Sequence, residues 1–320
     1  MTDTVLITGG LGYLGGRVAR FLIEQSGLSI RVGTRQRKIT PQEWLKGGMV
    51  MPLDLLSERD LDTACRGVRY VVHLAALNEI DSETDPEQAL LVNGLGTLKL
   101  LRASERARVE RFIYVSTAHV YGAPLVGTIT EKTLPRPVHP YAVTHKTGED
   151  FVLAACAQGV TQAVVLRLSN GFGAPVDASI ARWTLVTNDL CRQAVTTRKL
   201  ELRSSGLQRR DFITLFDISR AVAHFLNMPA SAYGDGLFNL GGECSLRIID
   251  LTEHIADRCR KAFGFTPSII RPDSGPAEPH PLLDYRIDKL KATGFVLKGS
   301  VDEEIDATLQ LCLKAFGTTS

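Results

Sequence analysis

Thr4-Val5-Leu6-Ile7-Thr8-Gly9-Gly10-Leu11-Gly12-Tyr13-Leu14-Gly15-Gly16-Arg17-Val18-Ala19 opens the chain's first folding unit. A short apolar, β-branched run passes directly into glycines at 10, 12 and 15, and an apolar-periodic helix is predicted over 15–25. Strand, Gly-x-Gly-x-x-Gly and helix in that order predict the dinucleotide-binding turn of a Rossmann sheet. The glycines permit a tight turn and let backbone N–H groups approach a pyrophosphate at the positive end of a helix. Gly9, Gly10, Gly12, Tyr13, Leu14 and Gly15 are therefore candidate cofactor contacts. A glycine-rich turn without a ligand is the alternative.

Outward from this turn the same alternation recurs. Strand runs at 4–8, 29–33, 49–52, 70–74, 111–116 and 163–168 alternate with helical patterns such as 15–25 and 86–108. Repeated βαβ units predict a parallel sheet, and the unbroken apolar character of the strands predicts helices on both faces. After Leu168 the rhythm changes. A Gly-, Pro- and Asn-containing stretch at 169–177 precedes a predicted helix at 180–193 and a predicted strand at 200–203. The chain is expected to revisit the sheet at 214–226 and 236–240, then to form a mixed region with a proline-rich segment at 272–281. The fold class is thus α/β, a doubly wound Rossmann sheet with a smaller mixed C-terminal substrate lobe. The expected division assigns 1–168 and 211–240 to the dinucleotide-binding domain, and 169–210 and 241–320 to the substrate lobe.

The 320 residues suffice for a large buried core, and 44% hydrophobic with 22% charged side chains is ordinary for a globular enzyme. A net charge of +2, from 37 basic and 35 acidic side chains, argues against a nucleic-acid partner. The six cysteines form no C-x-x-C pair and show no zinc spacing, so no metal and a reducing compartment are expected. A strand beginning near Val5 leaves no room for a secretory leader, and no apolar run approaches ~18 residues. A cytoplasmic protein without a membrane partner is expected.

The end of the second predicted strand bears on the choice of cofactor. NAD sites usually place a carboxylate there, about 20 residues beyond the glycines, on the adenine ribose. Here the chain reads Val32-Gly33-Thr34-Arg35-Gln36-Arg37-Lys38, with no acid. Arg35, supported by Arg37 or Lys38, would pair with a 2′-phosphate and select NADP. NAD stays open as the alternative, since an arginine also stacks on adenine.

Two later blocks carry the chemistry. The fifth predicted strand delivers Ser116-Thr117-Ala118-His119-Val120-Tyr121-Gly122, and Pro140-Tyr141-Ala142-Val143-Thr144-His145-Lys146-Thr147-Gly148-Glu149 opens a helix. Other motifs accompany them in order: Asp54-Leu55, His73-Leu74-Ala75-Ala76, Asn93-x-x-Gly96-Thr97 and Arg167-Leu168-Ser169-Asn170-Gly171-Phe172-Gly173. Arg210-Asp211-Phe212 and Asn239-Leu240-Gly241-Gly242 complete the series. With these motifs the chain resembles, over nearly its whole length, the extended short-chain dehydrogenase/reductases of the nucleotide-sugar epimerase/dehydratase group. The resemblance implies that Tyr141 exchanges a proton with a substrate hydroxyl or ketone while hydride passes to or from a nicotinamide. It implies that Thr117 hydrogen-bonds the same oxygen and that Asp54 and Leu55 lie at the adenine. Leu74, Ala75, Ala76 and Asn93 would line the cofactor cleft. A homodimer is also implied, through the helices at 86–108 and 141–158 packed as a four-helix bundle.

Two departures from the family pattern change what is expected. The pattern is Tyr-x-x-x-Lys, whereas His145 stands four residues after Tyr141 and Lys146 is turned ~140° around the helix. His145 is a candidate for the lysine's cofactor contact and catalytic support, or else a spectator beside an impaired tyrosine. As a cation it would make turnover fall as pH rises through its own pKa, ordinarily about 6.5. The second departure follows the threonine. The family's dehydratases place two acids there, and this chain has Ala118 and His119. Dehydration is disfavoured, and His119 becomes a substrate-facing base or a packing residue.

On the substrate side, Arg210 matches the family's nucleotide-sugar arginine and Asn170 a substrate-contacting asparagine, with Arg286 as a further cation for a diphosphate. Pairing of Arg210 with Asp211 or Asp217 at a surface is the plain alternative. Reduction of a keto-sugar nucleotide, epimerisation of a nucleotide sugar, and a non-catalytic dinucleotide-binding or regulatory role then compete, with reduction of a small non-sugar ketone as a variant of the first.

Overall fold

Seven parallel strands form the central sheet of the computed structural model, which describes residues 3–39, 42–272 and 281–317. Most of the proline-rich segment at 272–281 lies outside the described residues. The strands run in the spatial order Leu237–Leu240, Gln162–Leu168, Arg111–Thr117, Tyr70–His73, Thr4–Thr8, Ser29–Thr34, Met49–Pro52. The order reverses between Thr4–Thr8 and Tyr70–His73, the switch point at whose strand carboxyl ends doubly wound sheets bind their ligands.

Alternation along each strand sends side chains to both faces. Val5, Ile7, Ile113 and Val115 join one apolar cluster, beneath the helices Tyr13–Gln25 and Leu215–Asn227. Leu6, Phe112 and Tyr114 join the other, beneath Glu58–Cys65, Gly96–Arg106 and Pro140–Ala157. A third cluster builds a second lobe. It gathers Leu190, Leu251 and Ile305 from helices Val186–Thr197, Ile248–Phe263 and Val301–Phe316, Phe172 from a three-stranded sheet, and Trp183 from the loop between them. That sheet joins Asn170–Phe172, Arg209–Thr214 and Ser245–Arg247. Tyr285, Ile287 and Phe295 return to pack with the main sheet's core. Arg17 of the first helix ties the lobes together through Glu304 at 2.6 Å and the Ala174 carbonyl at 2.8 Å.

Three expected elements differ. The helix predicted at 180–193 starts only at Val186 and runs to Thr197. The Trp183 indole donates to the Ala178 carbonyl at 3.1 Å, and the Asn188 amide reaches back to the Arg182 carbonyl at 3.4 Å. Local bonds of this kind compete with helix formation. The stretch at 214–226 is a helix rather than a return to the sheet; Arg209–Thr214 pairs in the small three-stranded sheet, and only Leu237–Leu240 rejoins the main sheet. Within 86–108 the helix widens into a π turn at Leu90–Leu95.

Candidate active site

The glycine turn is sterically demanding. Gly9 has φ +67°, and a Cβ there would stand 2.9 Å from the backbone of Ala75. At Gly15 a Cβ would meet the Gly9 carbonyl at 2.2 Å. Neither position accepts a side chain. The helix Tyr13–Gln25 starts from Gly12 with no side-chain cap, so its first-turn N–H groups suit an anionic ligand such as a pyrophosphate.

A buried histidine fixes the facing loop. The Thr97 hydroxyl donates to the Asn93 carbonyl at 2.5 Å, so it must accept from His73 Nε2–H at 2.9 Å. His73 Nδ1 then accepts the Thr8 hydroxyl at 2.7 Å, whose oxygen takes the N–H groups of Leu74 and Ala75 at 3.2 Å each. Burial pushes the His73 imidazole down to about 3, so it is neutral. Leu74 and Ala75 are half-buried beside Gly9, and Ala76 is exposed.

Two expected cofactor contacts are corrected in kind. Asn93 is fully buried: its oxygen accepts Leu77 N–H at 2.7 Å and its amide donates to Thr144 at 3.0 Å. Its side chain is consumed in holding the loop to the helix Pro140–Ala157. The Tyr13 hydroxyl donates to the Gly173 carbonyl at 2.8 Å and lies 3.3 Å from Asn188 Oδ1, both in the second lobe. Its ring is an anchor, and only its backbone belongs to the glycine turn. Asp54 holds the turn at Leu56 N–H (2.9 Å), and Leu55 is buried over Gly96. Arg37 pairs with Asp60 at 2.9 Å, whereas Arg35 is exposed without an ion-pair partner among the described residues.

Thr117 ends a central strand and Tyr141 opens the helix Pro140–Ala157. The helix starts there because Pro140 suits its first turn and His139 Nδ1 accepts Tyr141 N–H at 3.2 Å. Burial, and next the Glu79 carboxylate, push the Tyr141 phenol above its ordinary range; Arg182 and the Thr117 hydroxyl pull it partly back.

His145 is 3% exposed. Its Nδ1 lies 2.8 Å from the Tyr114 hydroxyl, its ring meets that of Tyr141 edge-on at 4.4 Å, and Nε2 has no partner among the described residues. Burial, helped by nearby His119, pushes the imidazole down to about 3. The expected cation at this position, and the fall in turnover through its titration, are therefore corrected: desolvation keeps His145 neutral. Lys146 pairs with Asp150 on the outer side of the helix.

His119 occupies a half-buried 3-10 turn, where burial lowers its pKa and Glu79 partly restores it. Arg210 is half-buried, its pKa lowered by burial, with no ion-pair partner among the described residues. The two aspartates that would have paired with it are otherwise engaged: Asp211 with Ser169 and the Gly242 and Cys244 N–H groups, Asp217 with Arg220. The Asn170 amide donates to the Asp211 carbonyl at 2.9 Å, on the neighbouring strand. Arg286 is corrected. Its guanidinium is held by Asp288 at 2.8 Å and faces Asp284 at 3.6 Å, an exposed cluster in place of a phosphate site. Two site residues escaped the sequence reading. Glu79 opens the short helix Glu79–Thr84 and pairs with Arg182 of the second lobe at 3.5 Å. Glu79 had a signal, an acid three places beyond Ala76 in the loop after the switch-point strand. Arg182 had none, lying inside a predicted helix.

Among the described residues no His, Cys, Asp or Glu cluster suits a metal ion, and no helix is long and apolar enough to cross a membrane. The NAD-dependent epimerase/dehydratase family model matches residues 5–241. A dTDP-glucose 4,6-dehydratase of Streptomyces niveus is 25% identical over 267 residues, covering 80% of this chain and 77% of the relative. A UDP-glucose 4-epimerase of Dictyostelium discoideum is 30% identical over 266 residues, covering 75% of this chain and 76% of the relative. The solved structure of MoeE5 in complex with UDP-glucose and NAD superposes with a TM-score of 0.77 at 25% identity, covering 98% of this chain and 99% of MoeE5. With the family model spanning the glycine turn, Thr117, Tyr141 and the strand that closes the sheet, the chain belongs to the NAD-dependent epimerase/dehydratase family.

Proposed function

We propose that the protein is an NAD(P)-dependent oxidoreductase or epimerase acting on a nucleotide sugar at a sugar carbinol or ketone. The observation that carries this reading is the placement of Thr117 at the carboxyl end of its strand and Tyr141 in the first turn of the helix Pro140–Ala157, with the uncapped glycine turn in the same domain. Residues 1–168 and 211–240 would hold the dinucleotide, and 169–210 and 241–320 the sugar nucleotide. The dinucleotide, when bound, supplies hydride acceptance and return. Tyr141 exchanges the proton of the sugar oxygen, and Thr117 orients that oxygen by a second hydrogen bond. Neutral His145 keeps the ring of Tyr141 in place and offers its unpartnered Nε2 to a ribose hydroxyl. Arg210, half-buried and unpaired among the described residues, takes the diphosphate. UDP- and dTDP-sugars incubated with the purified protein and either cofactor should yield an epimer or a reduced sugar by product analysis. No product from any of them, with cofactor bound, would leave the non-catalytic reading in place.

Arg35 favours NADP as the partner of this turn, against the NAD named with MoeE5. Arg35→Asp is expected to weaken NADP binding at least tenfold, the loss of one charge-assisted contact of ~1.5–3 kcal/mol, and to change NAD binding little. Equal losses for both cofactors in a titration would remove the 2′-phosphate assignment.

The family's dimer surface is the second expectation to be tested. Leu91, Leu95, Val143 and Phe151 are exposed apolar side chains on the neighbouring helical segments at 86–106 and 140–157. A second copy of the chain would cover them across a two-fold axis. Light scattering should give a dimer mass for the unchanged protein and a monomer mass for Phe151→Glu. A monomer at all concentrations would contradict the assembly. We place the protein in the cytoplasm, where its six unpaired cysteines would stay reduced.

A further inference from the structure

One ring nitrogen of His145 has no partner. Nε2 is buried and unbonded among the described residues, in a side chain only 3% exposed. The other nitrogen, Nδ1, lies 2.8 Å from the Tyr114 hydroxyl. The two nitrogens of an imidazole point in nearly opposite directions, so Nε2 points away from the strand Arg111–Thr117. The same ring meets Tyr141 edge-on at 4.4 Å. No carboxylate touches either nitrogen among the described residues, and a ring buried this deeply without one carries a single proton. Which nitrogen holds that proton decides whether Nε2 donates or accepts.

The phenol beside it makes the choice. Tyr114 is fully buried, and its ring lies nearly parallel to the imidazoles of His73 and His145, with centroids 5.3 and 5.9 Å away. Its hydroxyl reaches the helix Pro140–Ala157 over Gly148, where a Cβ would stand 2.9 Å from the phenol oxygen. That oxygen has one proton and two hydrogen-bond contacts among the described residues, both on His145. The His145 carbonyl, at 3.5 Å, is beyond the range of a good O–H donor, whereas Nδ1 is at the favoured distance. An imidazole lone pair is also a stronger base than a peptide carbonyl, and a phenol O–H a stronger donor than an imidazole N–H. Donation from Tyr114 to Nδ1 leaves the imidazole proton on Nε2.

We propose that Tyr114 is a positioning residue whose phenol proton fixes His145 in the Nε2–H form, turning the histidine into a hydrogen-bond donor for a ribose hydroxyl where the family pattern has a lysine. The inference rests on the reading that a dinucleotide occupies the site beside Tyr141. A lysine would bring its donor protons with a charge; here one donor proton is held in place by a phenol three residues before Thr117 on the same strand.

Nitrogen resonances distinguish this role from mere packing. The full chain is prepared with 15N-labelled histidine, and the His145 signals are identified by their absence in His145→Gln. Without ligand, Nε2 should resonate as a protonated nitrogen and Nδ1 as a bare, hydrogen-bonded one. Tyr114→Phe keeps the ring and removes the proton donor, so the two shifts should move towards each other as the second tautomer enters. A proton on Nδ1 in the unchanged protein, or shifts that Tyr114→Phe leaves in place, would overturn the proposal. On saturation of the unchanged protein with NADP or NAD, followed by calorimetry, the Nε2–H proton should move downfield. A dinucleotide that binds without moving it removes the donor role and leaves the cofactor reading intact. If neither dinucleotide binds, the cofactor reading falls and the donor role with it, whereas the relation of Tyr114 to His145 is decided separately in the ligand-free protein.

Discussion

Tyr141→Phe is expected to lower turnover about 10³-fold, within the ~10²–10⁴ range that a positioned acid–base group contributes. Dinucleotide affinity and the unfolding midpoint should change little. The ring keeps its edge contact with His145, and the helix keeps its His139 cap, which uses the backbone N–H of residue 141. What is lost is the phenol hydroxyl alone. Single-turnover hydride transfer, cofactor titration and thermal unfolding on the same preparation check the three parts together. A variant retaining more than a tenth of the hydride-transfer rate would show that another group moves the proton. A loss of cofactor affinity as large as the loss of rate would mean that the phenol acts mainly through the dinucleotide.

The second large effect concerns stability. Arg167 and Glu149 form a bidentate pair, Nε to Oε1 at 3.0 Å and Nη2 to Oε2 at 2.7 Å, with only 3% and 0% of the side chains exposed. The pair joins the helix Pro140–Ala157 to the strand Gln162–Leu168, and the guanidinium lies over the Tyr121 ring at 4.7 Å. Glu149→Leu would leave the buried guanidinium without its counter-ion, at an expected cost of about 3–5 kcal/mol. Denaturant midpoints at constant slope measure it. Adding Arg167→Met should recover much of the loss, because neither charge then has to be desolvated. A double variant as unstable as the single one would place the cost in packing instead.

The parts of this molecule that are legible in its sequence are those where local chemistry and global fold agree. Gly9 and Gly15 can be nothing else where a carbonyl or a backbone comes within 3 Å of a side-chain position, so they announce the turn. The strands at 4–8, 70–73 and 111–117 carry apolar side chains on both faces because both faces are covered. Tyr141 and Thr117 are readable because each stands at the end of a regular element. Charge at the site is not readable in the same way. His145 looks like a stand-in for a lysine until three-dimensional burial is known, since desolvation is a property of its neighbours Tyr114 and Tyr141 rather than of its spacing from Tyr141 along the chain. Arg286 looks like a free cation until Asp288 folds back on it. Arg182 is the clearest case. It meets Glu79 from an irregular loop, shaped by the Trp183–Ala178 bond and the reach of Asn188, and nothing periodic marks such a loop.

The position of Leu237–Leu240 at the margin of the main sheet has a consequence for how the chain is made. Gln162–Leu168 exposes a row of unpaired backbone groups until that last strand arrives, about 70 residues later in synthesis. At a ribosome speed of ~5–20 residues per second, that is several seconds during which a nearly complete nascent sheet carries a sticky flank. The intervening segment, 169–236, builds part of the second lobe in the meantime. Chaperone demand, and the yield of the protein under fast expression, should therefore be governed by this interval more than by the stability of the finished molecule.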